Sequence, residues 1–142
     1  MSIHNPSRLY DGSPDIIILH RLRLIEWFLL RPLAEVWNVT VTSAYRTPQA
    51  QAALPAGAKA KGISQHPLGE AVDVVPDGSM TDCYVWCLDH LRPFQALLEY
   101  KGDAPSCIHL SIPSSIEGIV AKRLIYYKGL WTQYTGVLPV SA

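Results

Sequence analysis

The sequence predicts an α+β domain in which helices flank a mainly antiparallel sheet. Two patterns indicate this class. Apolar residues recur at helical spacing over residues 16–37, and several short later segments alternate apolar and polar side chains, as half-exposed strands do. The chain has 142 residues, 49% of them hydrophobic, which suffices for one domain with its own core. We expect a single domain over residues 1–142, with its core at about 14–128.

The first helix is predicted from its start signals and its apolar stripe. Ser13 stands where an N-cap is expected, Pro14 at the first helical position, and Asp15 places an acid in the first turn. Pro32 predicts a bend or a restart of the helix. The residues expected to form its core stripe lie on one helical face: Leu24, Ile25, Phe28 and Leu29.

The remaining elements follow from alternation and from capping residues. The segment "NVTVTSAYR" alternates as a strand that ends at Arg46, and "PQAQAAL" is predicted as a short helix capped by Thr47. A strand "GEAVDVV" and a helix "SMTDCYVWCLDHL", capped by Ser79, come next. Three strands then follow, "FQALLEY", "SCIHLSI" and "AKRLIYYK", and the tail "WTQYTGVLPVSA" has no assignment.

Charge and hydropathy exclude two classes of partner. Twelve basic residues balance twelve acidic ones, so no overall field attracts nucleic acid or an anionic membrane. The apolar runs are too short and too often interrupted by charge to span a bilayer. We therefore expect no nucleic-acid partner and no membrane partner, and a monomer is favoured.

Cysteine usage and the amino terminus bear on location. The three cysteines are an odd number, and Cys83 and Cys87 lie four residues apart in a predicted helix, which favours a reduced protein over a disulfide framework. The first residues lack the basic-then-apolar pattern of a signal peptide. We expect synthesis in the cytoplasm without a signal peptide.

Three possible metal ligands are predicted to converge on one face of the sheet. Alternation directs Val72 and Val74 of "GEAVDVV" into the core, and so directs Asp73 to the opposite face. In "SCIHLSI" the same rule puts His109 on the polar face, between inward Ile108, Leu110 and Ile112. If the two strands are neighbours, His66, in the turn before Asp73, can fold over to meet both side chains. Two imidazoles and one carboxylate form a typical catalytic zinc set with an open fourth position. Each residue alone is also typical of a solvated or hydrogen-bonded strand face.

Three motifs carry a family resemblance. In order and spacing, "SAYRTP", "SQHPLGEAVDVV" and "CIHLS" resemble the SGYRS, SxHxxGxAxD and WxHxS motifs of the zinc D-Ala-D-Ala carboxypeptidase and L-alanyl-D-glutamate endopeptidase family. These are peptidoglycan peptidases related to the hedgehog and lysostaphin-type folds. The resemblance covers roughly residues 22–127 and is closest to the short single-domain members found in bacteriophages.

The resemblance implies a zinc cofactor and a set of site residues. It makes His66, Asp73 and His109 the zinc ligands and gives Arg46 the role of holding a substrate carboxylate or carbonyl, which the planar guanidinium suits. Ser64 and Gln65 would hydrogen-bond the substrate, with Ser64 alternatively capping the turn. Without the resemblance, a surface ion pair would be the expected role of Arg46.

The chain departs from the family near its third motif. Many members carry a glutamate shortly before the last histidine, whereas positions 105–107 here are Pro-Ser-Cys. Glu99, at the end of "FQALLEY", is the first substitute as general base, and Asp103 is the second. Cys107 replaces the usual aromatic residue and is expected on the face of His109, where it packs or approaches the metal.

The implied function is zinc-dependent hydrolysis of an amide bond in the peptidoglycan stem peptide. Both an L,D-endopeptidase and a D,D-carboxypeptidase fit, and a phage lysis enzyme or a wall-penetrating virion component is the expected setting. Such a protein acts on the cell wall from the virion or after release by another route. The competing interpretation is a non-catalytic wall-binding or virion structural module that retains the fold, and the irregular third motif keeps this alternative open.

Overall fold

A computed structural model describes residues 3–4, 15–54, 65–91, 95–113 and 122–139, of which residues 3–4 are described by their backbone alone. The described residues form one sheet with a small set of helices. The strands are β1 (Ile3–His4), β2 (Val39–Ser43), β3 (Ala71–Pro76), β4 (Gln95–Lys101), β5 (Ala104–Ser111), β6 (Lys122–Tyr127) and β7 (Leu130–Gln133). The helices are α1 (Ile16–Ile25), α2 (Arg31–Ala34), α3 (Pro48–Ala52) and α4 (Met80–His90), with a π-helical turn at Glu26–Leu30 and a 3-10 turn at His66–Leu68.

The sheet is mainly antiparallel, as the sequence predicts. Its strand order is β1-β2-β3-β5-β4-β6-β7. Four of the neighbouring pairs are antiparallel, and the pairs β1–β2 and β4–β6 are parallel. The predicted α+β class is confirmed. Strand β1 was not predicted, and β7 lies in the tail for which the pattern gave no assignment.

The core lies between one face of the sheet and the helices α1 and α4. Val72, Val74, Ile108 and Leu110 are fully buried on this face, as alternation predicts, and they belong to the same cluster as Leu22 of α1 and, from α4, Tyr84. Because these strands direct every second side chain into the core, the intervening residues of β3 and β5 share the opposite face. That face carries Asp73 and His109.

Two of the three predicted N-caps are confirmed, and the first lies two residues later than expected. The side chain of Thr47 accepts a hydrogen bond from the Ala50 N–H at 3.1 Å, and that of Ser79 accepts one from the Asp82 N–H at 3.2 Å. In α1 the cap is Asp15, whose Oδ1 accepts from the Ile18 N–H at 2.9 Å. A carboxylate caps as well as a hydroxyl does, so the helix begins at Ile16; Ser13 and Pro14 lie outside the described residues.

The predicted core stripe of the first helix is wrong at Phe28, which is 66% exposed, and at Leu24, which is only half-buried and lies outside the core cluster. Near Pro32 the helix restarts, as expected: a π-helical turn, closed by a bond from the Arg31 N–H to the Glu26 carbonyl, is followed by α2, which begins at Arg31. A π-turn adds about one residue to the helical turn, which rotates Phe28 outward and brings Leu30 and Leu33 into the core. The stripe that results contains Leu22, Ile25, Leu29, Leu30 and Leu33.

None of the helices in the described part of the chain combines the length and the apolar composition that a bilayer crossing requires. The three cysteines, all of them described, form no disulfide; Cys83 and Cys87 are buried, and Cys107 is half-buried.

Candidate metal centre

The antiparallel pairing of β3 with β5 brings two of the predicted ligands together. Asp73 and His109 are direct partners in the register of these strands, so their side chains lie side by side on the face away from the core. The Nδ1 atom of His109 lies 2.9 Å from Oδ1 of Asp73. The two strands are therefore neighbours, as the convergence of these side chains requires.

The third ligand candidate comes from the 3-10 turn that precedes β3. His66 is almost completely buried, and its Nε2 lies 3.2 Å from Oδ2 of Asp73. The rings of His66 and His109 meet edge to face, with 5.2 Å between their centroids. Each side chain contributes one ligand atom to a group whose members all lie within 4.8 Å of one another. His66, Asp73 and His109 could therefore hold a metal ion.

The hydrogen bond at the far side of His66 fixes which nitrogen faces the carboxylate. Nδ1 lies 2.6 Å from the carbonyl oxygen of Ala44, which can only accept, so Nδ1 carries a proton. In the neutral ring the lone pair of Nε2 then points toward Asp73. Two lone pairs 3.2 Å apart repel each other unless a proton or a cation lies beside them.

The types of donor atom, more than their spacing, indicate a zinc ion. Zinc binds imidazole nitrogen at about 2.0–2.1 Å in tetrahedral geometry, so that neighbouring donor atoms lie about 3.3 Å apart. Two separations are near that value, 2.9 Å from Nδ1 of His109 to Oδ1 of Asp73 and 3.2 Å from Nε2 of His66 to Oδ2 of Asp73, but they involve different carboxylate oxygens, and a set with one atom from each residue lies within 4.8 Å. The donor set of two imidazoles and one carboxylate is the set that leaves a position open for a substrate.

Asp73 is held in its charged form by its neighbours. Burial alone would raise the pKa of this carboxyl group, but the two imidazoles beside it, first that of His66 and then that of His109, outweigh burial and hold the pKa well below its usual value. A ligand carboxylate must be ionised to bind a metal ion, and Asp73 meets this requirement at any physiological pH.

Arg46 lies at the edge of the cluster, where the strand end was expected to deliver it. Its Nη2 is 3.7 Å from Oδ2 of Asp73, its Nε donates to the hydroxyl of Ser43 at 2.9 Å, and its Nη1 donates to Oε1 of Gln51 at 2.6 Å. The guanidinium is therefore held by side chains from two elements, β2 and α3. Patterning did not single out Ser43 or Gln51, because nothing in the sequence indicates that they meet at one arginine.

Gln65 is brought to the cluster, but it contacts a ligand candidate instead of an open surface. Its side chain is buried, and Oε1 lies 3.2 Å from Nε2 of His109. Ser64, the other residue expected to bind substrate in this turn, lies outside the described residues.

Glu99 lies on the same face of the sheet as the ligands. Its register partner on β5 is Cys107, two residues from His109, and the Cys107 thiol donates to Oε2 of Glu99 at 3.4 Å. Burial and then the nearby charge of Asp73 raise the pKa of Glu99. The pKa of the Cys107 thiol is raised as well, chiefly by burial and then by the charge of Asp73, so this sulfur is a protonated donor.

Asp103 is not brought to the cluster. It lies in the turn between β4 and β5, exposed, and its Oδ1 accepts a hydrogen bond from the Tyr127 hydroxyl at 2.5 Å. It precedes His109 by six positions, a distance of about 20 Å along an extended strand.

Comparison with known proteins gives no relative from which a function could be transferred: no family model, no curated protein and no solved structure matches the chain.

Proposed function

We propose that this protein is a zinc-dependent peptidase that hydrolyses an amide bond in the stem peptide of peptidoglycan, with the fold of the hedgehog and D,D-peptidase type. The observation that carries the proposal is the convergence of His66, Asp73 and His109, in the order and spacing of the resembling family, on one face of the sheet. A phage lysis enzyme or a wall-penetrating virion component is the setting that fits the motifs best.

The ligand atoms follow from the hydrogen bonds around the cluster. His66 offers Nε2, because its Nδ1–H donates to Ala44, and Asp73 offers a carboxylate oxygen between the two rings. His109 offers Nδ1, the nitrogen that faces Asp73. A zinc ion held by this set would act as a Lewis acid, which would lower the pKa of a water molecule to about 7 and polarise the scissile carbonyl.

Glu99 is the proposed general base. It lies on the face of the ligands, and its half-buried carboxyl group has a raised pKa, which makes it a stronger proton acceptor once ionised. In the reaction Glu99 takes the proton of the attacking water and passes it to the leaving amine. The amide C–N bond breaks as the new C–O bond forms, so no covalent link to the protein is needed.

Arg46 is proposed to bind a substrate carboxylate next to the scissile bond. Its contacts with Ser43 and Gln51 fix the guanidinium plane, and its side chain remains 16% exposed at the edge of the cluster. If the carboxylate is the chain terminus of D-Ala-D-Ala, the enzyme trims free ends; if it belongs to D-glutamate within the stem, the enzyme cuts inside the stem. We favour the endopeptidase, because the motifs are closest to the short phage members.

The test is mass spectrometry of the products released from purified peptidoglycan and from isolated muropeptides, with and without a zinc chelator. New amino termini within the stem peptide, absent with chelator, are the expected result. Release of D-alanine alone would replace the endopeptidase by the carboxypeptidase. A zinc-loaded protein that releases no product from either substrate would favour the non-catalytic wall-binding or virion structural module.

A further inference from the structure

We propose that Gln65 is a positioning residue: its side-chain oxygen accepts a hydrogen bond from Nε2–H of His109 and so keeps Nδ1 of that ring unprotonated and available to a metal ion. The inference rests on the proposed zinc site but not on the proposed reaction. Gln65 then orients the metal ligand His109, whereas the sequence predicted that it contacts the substrate.

The first observation is the position of the imidazole of His109 between two acceptors. Nδ1 lies 2.9 Å from Asp73, and Nε2 lies 3.2 Å from Oε1 of Gln65. A neutral imidazole carries its proton on only one of these nitrogens. If the proton is on Nε2, it satisfies Gln65, and the lone pair of Nδ1 points to the side where Asp73 and His66 offer their own lone pairs.

The second observation concerns burial. Gln65 is 8% exposed, and its Nε2 amide group has no hydrogen-bond partner among the described residues. A buried amide that leaves its donors unused lowers stability. Its oxygen is the only atom of the side chain with a hydrogen-bond partner among those residues, and that partner is a ligand candidate.

The orientation of the amide decides the tautomer. Rotated by half a turn, Gln65 would donate its N–H to Nε2 of His109, and the ring proton would then lie on Nδ1, facing Asp73. A metal ion could not bind at Nδ1 in that arrangement. With the oxygen toward the ring, Nε2–H of His109 donates to Gln65, just as Nδ1–H of His66 donates to Ala44. The other nitrogen of each ring then presents its lone pair to Asp73. Such partners orient metal-bound histidines in general.

The test compares two variants of Gln65 with a control. Gln65→Met keeps the length of the side chain and removes the acceptor, whereas Gln65→Glu keeps an acceptor at the same position. Gln49→Met, at an exposed residue of α3, is the matched control. Zinc affinity is measured by competition with a chelating indicator, and nitrogen-15 NMR of the zinc-loaded protein determines which nitrogen of His109 carries the proton.

We expect Gln65→Met to bind zinc about tenfold to hundredfold more weakly, the usual effect of losing such a partner. Gln65→Glu and Gln49→Met should bind no more weakly than the wild type. In the zinc-loaded wild type the proton should be on Nε2 of His109, and in Gln65→Met this proton should exchange faster with solvent.

Two results would overturn the inference: a zinc-loaded wild type with the proton of His109 on Nδ1, or a Gln65→Met variant that binds zinc as the wild type does. If Gln65→Met does not fold, Gln65→Glu and the tautomer of the wild type decide. A wild type that binds no zinc would overturn the metal centre together with the inference. One that binds zinc but hydrolyses nothing would overturn the proposed function alone.

Discussion

Glu99 is the residue on which a catalytic role depends most, because the sequence lacks an acid at the usual position near the last histidine. We expect Glu99→Gln to lower turnover at least about a hundredfold, the usual contribution of a general base. Zinc should remain bound, since Glu99 is not one of the three ligands. The measurement is peptide release together with metal analysis, and Asp103→Asn is the matched control because Asp103 is exposed and bonded to Tyr127. If the control loses activity and Glu99→Gln does not, the base is Asp103.

The raised pKa of Glu99 also predicts how stability changes with pH. Its pKa in the folded protein lies above that of the unfolded chain, because burial disfavours the charged form. The folded state therefore binds more protons between the two pKa values, and stability falls as pH rises through this window. Glu99→Gln removes this effect. In metal-free protein the melting temperature of Glu99→Gln should be higher than that of the wild type at neutral pH. The difference should disappear below about pH 4. A difference that does not change with pH would contradict the assignment.

Arg46 should control substrate use without controlling the metal. Replacing it with alanine removes charge-assisted hydrogen bonds to a substrate carboxylate, and catalytic efficiency should fall by on the order of 2 kcal/mol, or about thirtyfold. Zinc affinity should change little. At 3.7 Å the guanidinium is too far from Asp73 for a hydrogen bond, and it is held by Ser43 and Gln51 instead. Arg23→Ala, at an exposed residue of α1, is the control for loss of a positive charge. Equal losses in both variants would exclude a specific role for Arg46.

At the level of residues, strand alternation was sufficient to predict the faces of Asp73 and His109 but not the contacts of Gln65. Alternation follows from backbone geometry alone. The contact of Gln65 with His109 joins residues 44 positions apart, and no local pattern encodes which side chain fills a given space beside a ring.

Among the elements, the turn over residues 65–70 matters most, because it carries His66. Its backbone is bonded to three other parts of the fold. The Arg46 N–H donates to the carbonyl of His66, the Ile112 N–H donates to that of Glu70, and the side chain of Arg21 donates to that of Leu68 at 2.9 Å. These bonds fix the turn against α1 and against the segments that follow β2 and β5, so the position of His66 is set by the fold as a whole.

Gly69 allows this turn to approach α1. Its φ is +69°, and a Cβ at this position would lie 2.8 Å from Cγ2 of Ile18. Gly102 has a similar φ, +65°, but a Cβ at this position would meet no atom within 4 Å. Gly102→Ala therefore measures the backbone strain alone. That strain is about 1–2 kcal/mol. We expect Gly69→Ala to cost about 1–3 kcal/mol more because of the close contact, and to weaken zinc binding through displacement of His66. Denaturant unfolding and zinc titration check both effects, and equal costs at the two glycines would contradict this account.

The sequence predicted most elements but not the register inside the first helix. Caps and alternation are local signals, so Thr47, Ser79 and the strands from β2 to β6 could be recognised. The π-turn at Glu26–Leu30 has no comparable signal apart from Pro32, and its extra residue per turn is what moved Phe28 out of the core. Strand β1 has two residues and pairs only with β2, which gives no period to detect.

For the molecule as a whole, strand order creates the site. Strand β5 lies between β3 and β4, so Asp73 and His109 become neighbours although β4 intervenes in the chain. The sequence pattern alone did not predict that β5 pairs with β3, because β4 and β5 both alternate and either could have paired with β3. The motif resemblance favoured the pairing that the fold has.

The central claim is that His66, Asp73 and His109 bind zinc, and metal analysis of protein purified without a metal-affinity tag tests it most directly. We expect one zinc ion per chain in the wild type, because the three side chains form one ligand set. The ion should be lost in His66→Ala, Asp73→Ala and His109→Ala, and it should be retained in His90→Ala, where the histidine is exposed on α4 and stacked on Trp86. A wild type that contains no zinc and takes up none near neutral pH, or an unchanged zinc content in all three ligand variants, would contradict the account.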